Sequence, residues 1–353
     1  MLPYDSQVGQ QEDWAQFITN VAMIDTPLTA WLPVGEGLVS TRFDYQADIY
    51  RNPEDNSHPD GVEVTNDKSA GENRKELNMY CHYWTKKASI SALSQSFGNV
   101  AGIGNAAGST SAGEMGREIR IQTEELRKEW ECHWLSPVEA RRGVHNTVGY
   151  RSRGVPNWIL ASAQGVLPVD STIWPAAGQI NTSTASAALT EDNVLDIFQS
   201  IYTTTRKSMI HTVFCGPKAQ RSFNNFPIFT PASASAVNGG SYPSPVRGGA
   251  FDRNINRYVT PFGSADLVPS ANLHSFNSSV VFQSTRTAVQ DAPFFILHQD
   301  MWEVRWGTLN GGSGQPKWLE NPYAGGKRSA FCEAVNMLVC KNPQGEGRYS
   351  PTS

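Results

Sequence analysis

The residues best suited to nucleophilic, acid–base or metal chemistry in this chain are its seven histidines and five cysteines, and their spacing supports none of these. Cys81, Cys132, Cys215, Cys332 and Cys340 are scattered, odd in number and without a C-x-x-C pair, so neither a disulfide framework nor a zinc site is indicated. Their apolar and aromatic neighbours point to buried free thiols in a reducing compartment. Cys81-His82 and Cys132-His133 are sequence neighbours, and adjacent side chains diverge on a helix or strand, so no thiol–imidazole pair forms locally. No H-E-x-x-H, G-x-S-x-G, Walker A or EF-hand spacing occurs. Gly102-x-Gly104 and Gly108 do not match G-x-G-x-x-G, and their glycine-rich segment reads as a connector and not as a phosphate cradle. No group is placed for catalysis, and no metal or cofactor is called for.

Two other clusters remain. Arg141, Arg142, His145, Arg151 and Arg153 form a basic stretch. Its functional reading is an anion contact; the plainer reading, and the favoured one, is a solvated loop or ion pairs between subunits. The ten tryptophans are enough for a carbohydrate-binding platform. Trp130 and Trp134, however, fall on the apolar stripe of a helix, where core packing explains them first.

The elements that must position these residues follow from pattern. The 353 residues give a soft prior of two to three domains at about 150 each. A net charge of −4 is weak for this length and argues against a general nucleic-acid coat. No apolar run reaches the roughly 18 residues of a membrane span, and the N-terminus has no signal-peptide pattern. Trp14, Phe17, Ile18 and Val21 read as a short helix that stops at Asp25-Thr26-Pro27, followed by an extended arm. Phe43, Tyr45, Ala47 and Ile49 share one face of a strand, as do Leu77, Met79, Cys81 and Tyr83 of a second. Between them lies a polar segment with prolines and Asp60-Gly61. Residues 38–92 therefore read as a long two-stranded excursion, and an isolated hairpin of this kind is marginal in water without a partner surface. The strongest helix runs from about 111 to 136, with Met115, Ile119, Leu126, Trp130 and Trp134 on one stripe as core candidates. Thr190 caps a helix, residues 209–215 form a buried strand, and a short helix follows Gly216. Residues 230–256 read as a Ser/Pro/Gly-rich surface loop, and strands are expected near 258, 265, 279, 292, 302–306 and 330–340.

In this order the pieces resemble the major capsid proteins of tailed bacteriophages. The likeness rests on residues 17–33, on the strand Thr41-Arg-Phe-Asp-Tyr-Gln-Ala-Asp, on the helix 115–134 with its Arg-rich turn and Val155-Pro-Asn-Trp-Ile, and on Tyr258-Val-Thr-Pro-Phe-Gly with the strands up to Trp306. It spans about residues 12 to 343. The resemblance implies an α+β fold of the tailed-phage major-capsid type. Its parts would be an N-terminal arm (1–37), an extended loop (38–92), a peripheral domain with a long spine helix (93–154), an axial domain (155–300) and returning strands with a C-terminal tail (301–353). It implies a structural, non-enzymatic protein that self-assembles through hexameric and pentameric capsomers into an icosahedral head around double-stranded DNA. The subunit would be assembled in the bacterial cytoplasm and reside in the virion. Its partners would be itself, a portal, a scaffold or decoration protein, and DNA held non-specifically, with no membrane. Inter-subunit candidates are Phe43, Tyr45, Ile49, Asp60, Lys68, Lys75, Arg141, Arg142, Arg151 and Arg153. Some members of the fold cross-link a loop lysine, but Lys68 and Lys75 are ordinary for a polar loop and no cross-link is assigned. Because Met1 stands only a dozen residues before the arm, no scaffolding segment is expected to have been cut from this end. An encapsulin-like compartment shell and a carbohydrate-binding protein are the alternatives.

Overall fold

The computed structural model describes residues 25–48, 55, 57, 59–61, 63, 74–91, 99–100, 103–104, 113–160, 171–182, 189–224, 226, 256–273, 293–307, 316–321 and 326–350. The helices are α1 (Pro27–Trp31), α2 (Gly113–Trp134), α3 (Val155–Trp158), α4 (Glu191–Thr205) and α5 (Pro217–Asn224). The first strands are β1 (Arg42–Asp48), β2 (Arg74–Tyr80), β3 (His82–Ser91), β4 (Asn99–Val100), β5 (Ile103–Gly104), β6 (Ile180–Asn181) and β7 (Met209–Cys215). Then follow β8 (Arg257–Thr260), β9 (Gly263–Pro269), β10 (Phe294–Leu297), β11 (Trp302–Trp306), β12 (Lys317–Glu320), β13 (Lys327–Cys340) and β14 (Gly347–Tyr349). The chain divides into two compact units, one holding 84–128 and 316–333, the other 25–83, 129–315 and 334–353.

In the first unit β12 pairs antiparallel with β13, from Lys317↔Glu333 to Glu320↔Ala330, and β3 also pairs with β13. Met115 of α2 is buried with Ala88 and Ala330, against the half-buried Ile90, Ile119 and Trp318. The Trp318 indole N–H donates to the Thr123 hydroxyl at 3.0 Å, so the aromatic ring packs while its polar edge is satisfied. Glycine-rich residues 99–104 include a minimal antiparallel pair, β4 with β5.

The second unit is organised by a six-stranded sheet in the order β6-β14-β10-β7-β9-β8, parallel at β6/β14 and β7/β9 and antiparallel elsewhere. Thr190 accepts the Asn193 N–H and starts α4, with Glu191 and Asp192 in the first turn where the helix dipole favours them. Val194, Ile197, Phe198 and Ile201 then fall on one face and are buried, together with Ala219 and Phe223 of α5, against Val213, Ala265, Phe294 and Tyr349 of the sheet. The backbone of β14 comes so close to α4 that a Cβ at Gly347 would lie 2.6 Å from the Ile197 side chain. On the opposite face Trp31 of α1 meets Phe214 edge-on at 5.2 Å and donates to the Thr212 hydroxyl at 3.1 Å. Covered on both sides, β10 is buried at all four of its residues, Phe-Phe-Ile-Leu.

Two expectations change. The segment after Thr26 is not wholly extended: Pro27 stands at the first position of a short helix, α1, where a missing N–H costs nothing. The free N–H groups of this short helix are met from afar: the Glu131 carboxylate accepts from Leu28 N–H at 3.0 Å and from Thr29 N–H at 2.7 Å. The expected helix at 14–21 lies outside the described residues. The stretch after Glu76 is two strands and not one, because at Cys81 the buried face changes phase. Leu77, Met79 and Cys81 are buried, but Tyr83 is exposed and Trp84 and Ala88 turn inward. β3 leaves its ladder there to pair with β13, so the two-stranded excursion spans 42–80. The spine helix is observed as α2, Gly113–Trp134. The expected strand near 279 and nearly all of the 230–256 loop lie outside the described residues.

Candidate functional site

The β1–β2 ladder registers Arg42 with Tyr80 at its base and Asp48 with Arg74 at its far end. Its outward face carries the exposed ion pairs Arg42–Asp44 (2.7 Å), Arg42–Glu76 (3.4 Å) and Arg74–Asp48 (3.1 Å). Exposed pairs of this kind add little to stability, because water and salt screen them. The inward face is spent within the chain. Phe43 stacks on Tyr45 at 5.4 Å, the Arg305 guanidinium lies 4.2 Å over Phe43, and the Tyr45 hydroxyl donates to the Cys340 carbonyl. Phe43 and Tyr45, candidates for contact with another subunit, are half-buried by these contacts within the subunit. Lys75 is half-buried opposite Ala47, and Asp60 is exposed in a turn that Gly61 completes at φ +81°. Ile49 and Lys68 lie outside the described residues.

The basic stretch is a β-hairpin. Arg141 and Arg151 exchange backbone hydrogen bonds at 3.0 Å in both directions, and Val144 pairs with Val148 around Asn146, whose φ is +57°. At its base Gly154 donates its N–H to the Val138 carbonyl at 2.9 Å, and a Cβ there would run into the Ser136 carbonyl oxygen. Only glycine lets the two strands close so tightly. Arg153 corrects its expectation: it is fully buried and belongs to no solvated loop. It donates through Nε (2.9 Å) and Nη2 (2.7 Å) to Glu139 Oε1, while Asn157 donates to Glu139 Oε2 at 3.2 Å and the guanidinium lies 4.8 Å over Trp158. Arg141 and Arg142 are exposed and Arg151 half-buried. Arg141 and Arg151 donate to the carbonyls of Gly149 (3.3 Å) and Glu139 (3.1 Å), and burial together with the Arg141 charge lowers the Arg151 pKa.

Beside this hairpin the fold makes a contact that sequence spacing does not announce. His82 and His133, 51 residues apart, meet edge-to-face at 4.5 Å, and His133 Nε2 donates to the Ser152 carbonyl at 3.1 Å. Burial depresses His133 to about 4; burial, His133 and the neighbouring arginines depress His82 to about 2. Both are neutral at pH 7 and pack as rings. A second buried group joins His211, which donates to the Gly345 carbonyl at 3.3 Å, to Glu346, whose Oε2 accepts the His298 N–H at 3.0 Å. Burial holds His211 near 4 and pushes the Glu346 carboxyl well up. Among the described residues no three His, Cys, Asp or Glu side chains are placed to hold a metal ion. All five cysteines are buried and unpaired with one another.

Of the helix stripe, Met115, Leu126, Trp130 and Trp134 are buried and Ile119 is half-buried. Trp130 meets Trp306 edge-on at 5.1 Å and stacks toward Trp134 at 6.4 Å. None of the nine described tryptophans is exposed, so none of these offers a platform to a sugar ring. Among the described residues no helix is long and apolar enough to cross a membrane.

Residues 3–318 match the SU10 major capsid protein family. The chain belongs to this family. It is a structural capsid shell protein, not an enzyme, and its place is the virion shell that it forms with copies of itself. Solved capsids share its fold at low identity. The chain aligns with the capsid of a native GTA particle at a TM-score of 0.58 and 9% identity, covering 99% of this chain and 98% of that one. The mature capsid of bacteriophage PhiM1 aligns at 0.57 and 10% identity, over 98% and 92%. That of cyanophage Pam1 aligns at 0.53 and 12%, over 98% and 97%. None of the curated proteins matches the chain. The capsid subunit is thus α+β with the tailed-phage major-capsid fold across nearly its whole length.

Proposed function

We propose that the subunit assembles through hexameric and pentameric capsomers into an icosahedral head that encloses double-stranded DNA, formed in the cytoplasm of a bacterial host. The observation that carries this reading is the β1–β2 excursion, a two-stranded ladder with one face of exposed charge. Two strands alone are marginal in water, and identical copies in a symmetric shell would supply the missing neighbours. In this reading residues 1–37 are the arm, 38–92 the extended loop, 93–154 and 301–353 the peripheral domain and tail, and 155–300 the axial domain. Asp60, Lys75, Arg141, Arg142 and Arg151 would face other subunits, as would Ile49 and Lys68. A portal at one vertex, a scaffold or decoration protein, and DNA held by non-specific contacts complete the partners. Negative-stain microscopy of the expressed chain tests the proposal: closed shells or capsomers are expected, and featureless monomers at high concentration would overturn it.

A further inference from the structure

Four buried polar atoms gather where the chain returns into β14, and among the described residues no protein group satisfies them. Glu346, the residue before β14, is fully buried. Its Oε2 accepts the His298 N–H at 3.0 Å, and its Oε1 has no partner. His211 of β7 is buried; its Nε2 donates to the Gly345 carbonyl at 3.3 Å, and its Nδ1 has no partner. The His298 ring stands 5.8 Å from that of His211, with its own Nδ1 enclosed and unbonded. Trp302 of β11 is fully buried, and its indole N–H acts on the Glu346 carboxyl without reaching bonding geometry. Native interiors rarely leave such atoms unpaired, because each has given up its water for nothing in return.

The roles of the four atoms complement one small molecule. Burial pushes the Glu346 carboxyl well up and no cation offsets it, so the acid keeps its proton near pH 7 and Oε1 can donate. Burial and the His298 ring hold His211 near 4; burial, with Lys207, lowers His298 against the pull of Asp300. Both rings are therefore neutral, and each can offer Nδ1 as an acceptor. The set amounts to two donors, the carboxyl O–H and the indole N–H, facing two acceptors. We propose that one internal water sits among His211, His298, Trp302 and Glu346, donating to both Nδ1 atoms and accepting from the indole and the carboxyl. Internal waters make about three such bonds, within a range of two to four. One enclosed water satisfies the neutral acid and supplies none of the hydration that bulk water gives a carboxylate. It also fastens β14 to β7 and β11, strands from three separate stretches of the chain. A divalent cation is the competing occupant. It would need the carboxyl ionised and would face the indole N–H, and among the described residues no three ligating side chains are placed to hold one.

The parent protein decides the matter, as shells or as soluble chain, because all four groups belong to one compact unit. A density map that resolves ordered water should show one isolated peak at about 2.6 to 3.2 Å from the four atoms. Elemental analysis of the same preparation should find no stoichiometric metal. Glu346→Gln, whose amide donates where the acid did, should keep the peak, and Glu346→Leu should lose it. A parent map without the peak overturns the inference, as does one in which the four atoms bond directly to one another. A peak matched by stoichiometric metal overturns it in favour of the cation, and a peak retained in a folded Glu346→Leu chain overturns the part given to the carboxyl.

Discussion

The six-stranded sheet and the β1–β2 ladder are both built by alternation, yet only one is complete within the subunit. In the sheet the inward residues of β7, Met209, His211, Val213 and Cys215, meet α4 and α5, while Phe214 on the other face meets Trp31. In the ladder Phe43 and Tyr45 are half-covered on one side, and the other side carries the exposed charges Arg42, Asp44, Asp48, Arg74 and Glu76. The arginines of the basic hairpin repeat the contrast at the scale of single residues. Arg153 is buried because Glu139 is within reach; Arg142 is exposed, and among the described residues no carboxylate forms an ion pair with it. The difference separates what folds the subunit from what the subunit offers to its copies, and substitutions should fall on one side or the other.

The largest expected effect lies on the folding side. Trp130 is buried between Trp134 and Trp306, so Trp130→Ala leaves a cavity that its neighbours cannot fill and costs roughly 3 to 5 kcal/mol. Little soluble protein is expected, and the soluble fraction should melt far below the parent. A variant with the parent's melting curve would place this end of α2 outside the folding core.

Elements whose signals are local were legible in the sequence. Thr190 followed by two acids starts α4, and residues 209–215 are a largely apolar strand between a helix end and Gly216. What depends on distant partners was not. Nothing at 82 or at 133 announces that the two imidazoles meet, and the strand break at Cys81 arises because β3 finds β13, more than two hundred residues on. Glu131 looks like one acid among several on α2, and only the fold brings α1 onto it. The basic stretch was visible as charge, but its division into one buried, one half-buried and two exposed arginines needed the position of Glu139.

A smaller effect, with a definite sign, comes from the buried titrating groups. Burial raises the Glu346 pKa well above its unfolded value of about 4.5, so the native state binds a proton that the unfolded chain releases as pH rises. Its contribution to stability is therefore present in full below about pH 4.5 and declines with rising pH, by at most about 1.4 kcal/mol per unit. His133 and His211, held near 4, act oppositely: their contribution is complete above about pH 6.5 and is lost as pH falls toward 4. Glu346→Gln removes one side of this balance. The variant should melt above the parent at pH 7.5, the gain should vanish near pH 4.5, and its own stability should fall more steeply with acidification. Parallel curves for the two chains would mean that water reaches the carboxyl.

The smallest expected effect on folding comes from deleting residues 56–72, and it tests the assembly side of the contrast most directly. The segment is polar and proline-bearing in sequence, with Asp60 and Glu63 exposed, so its removal is expected to cost the fold little. Closure entropy varies only slowly with loop length, so a shorter connection between β1 and β2 leaves the ladder register and the monomer melting curve nearly unchanged. Shell formation should respond quite differently. If each subunit places this loop on a neighbour, the contact is lost at every position of the symmetric assembly at once, and closed particles should disappear while the folded monomer persists. Melting curves and particle counts on the same preparation read both halves. Intact shells would remove the loop from assembly, and an unfolded monomer would move the ladder onto the same side as the six-stranded sheet.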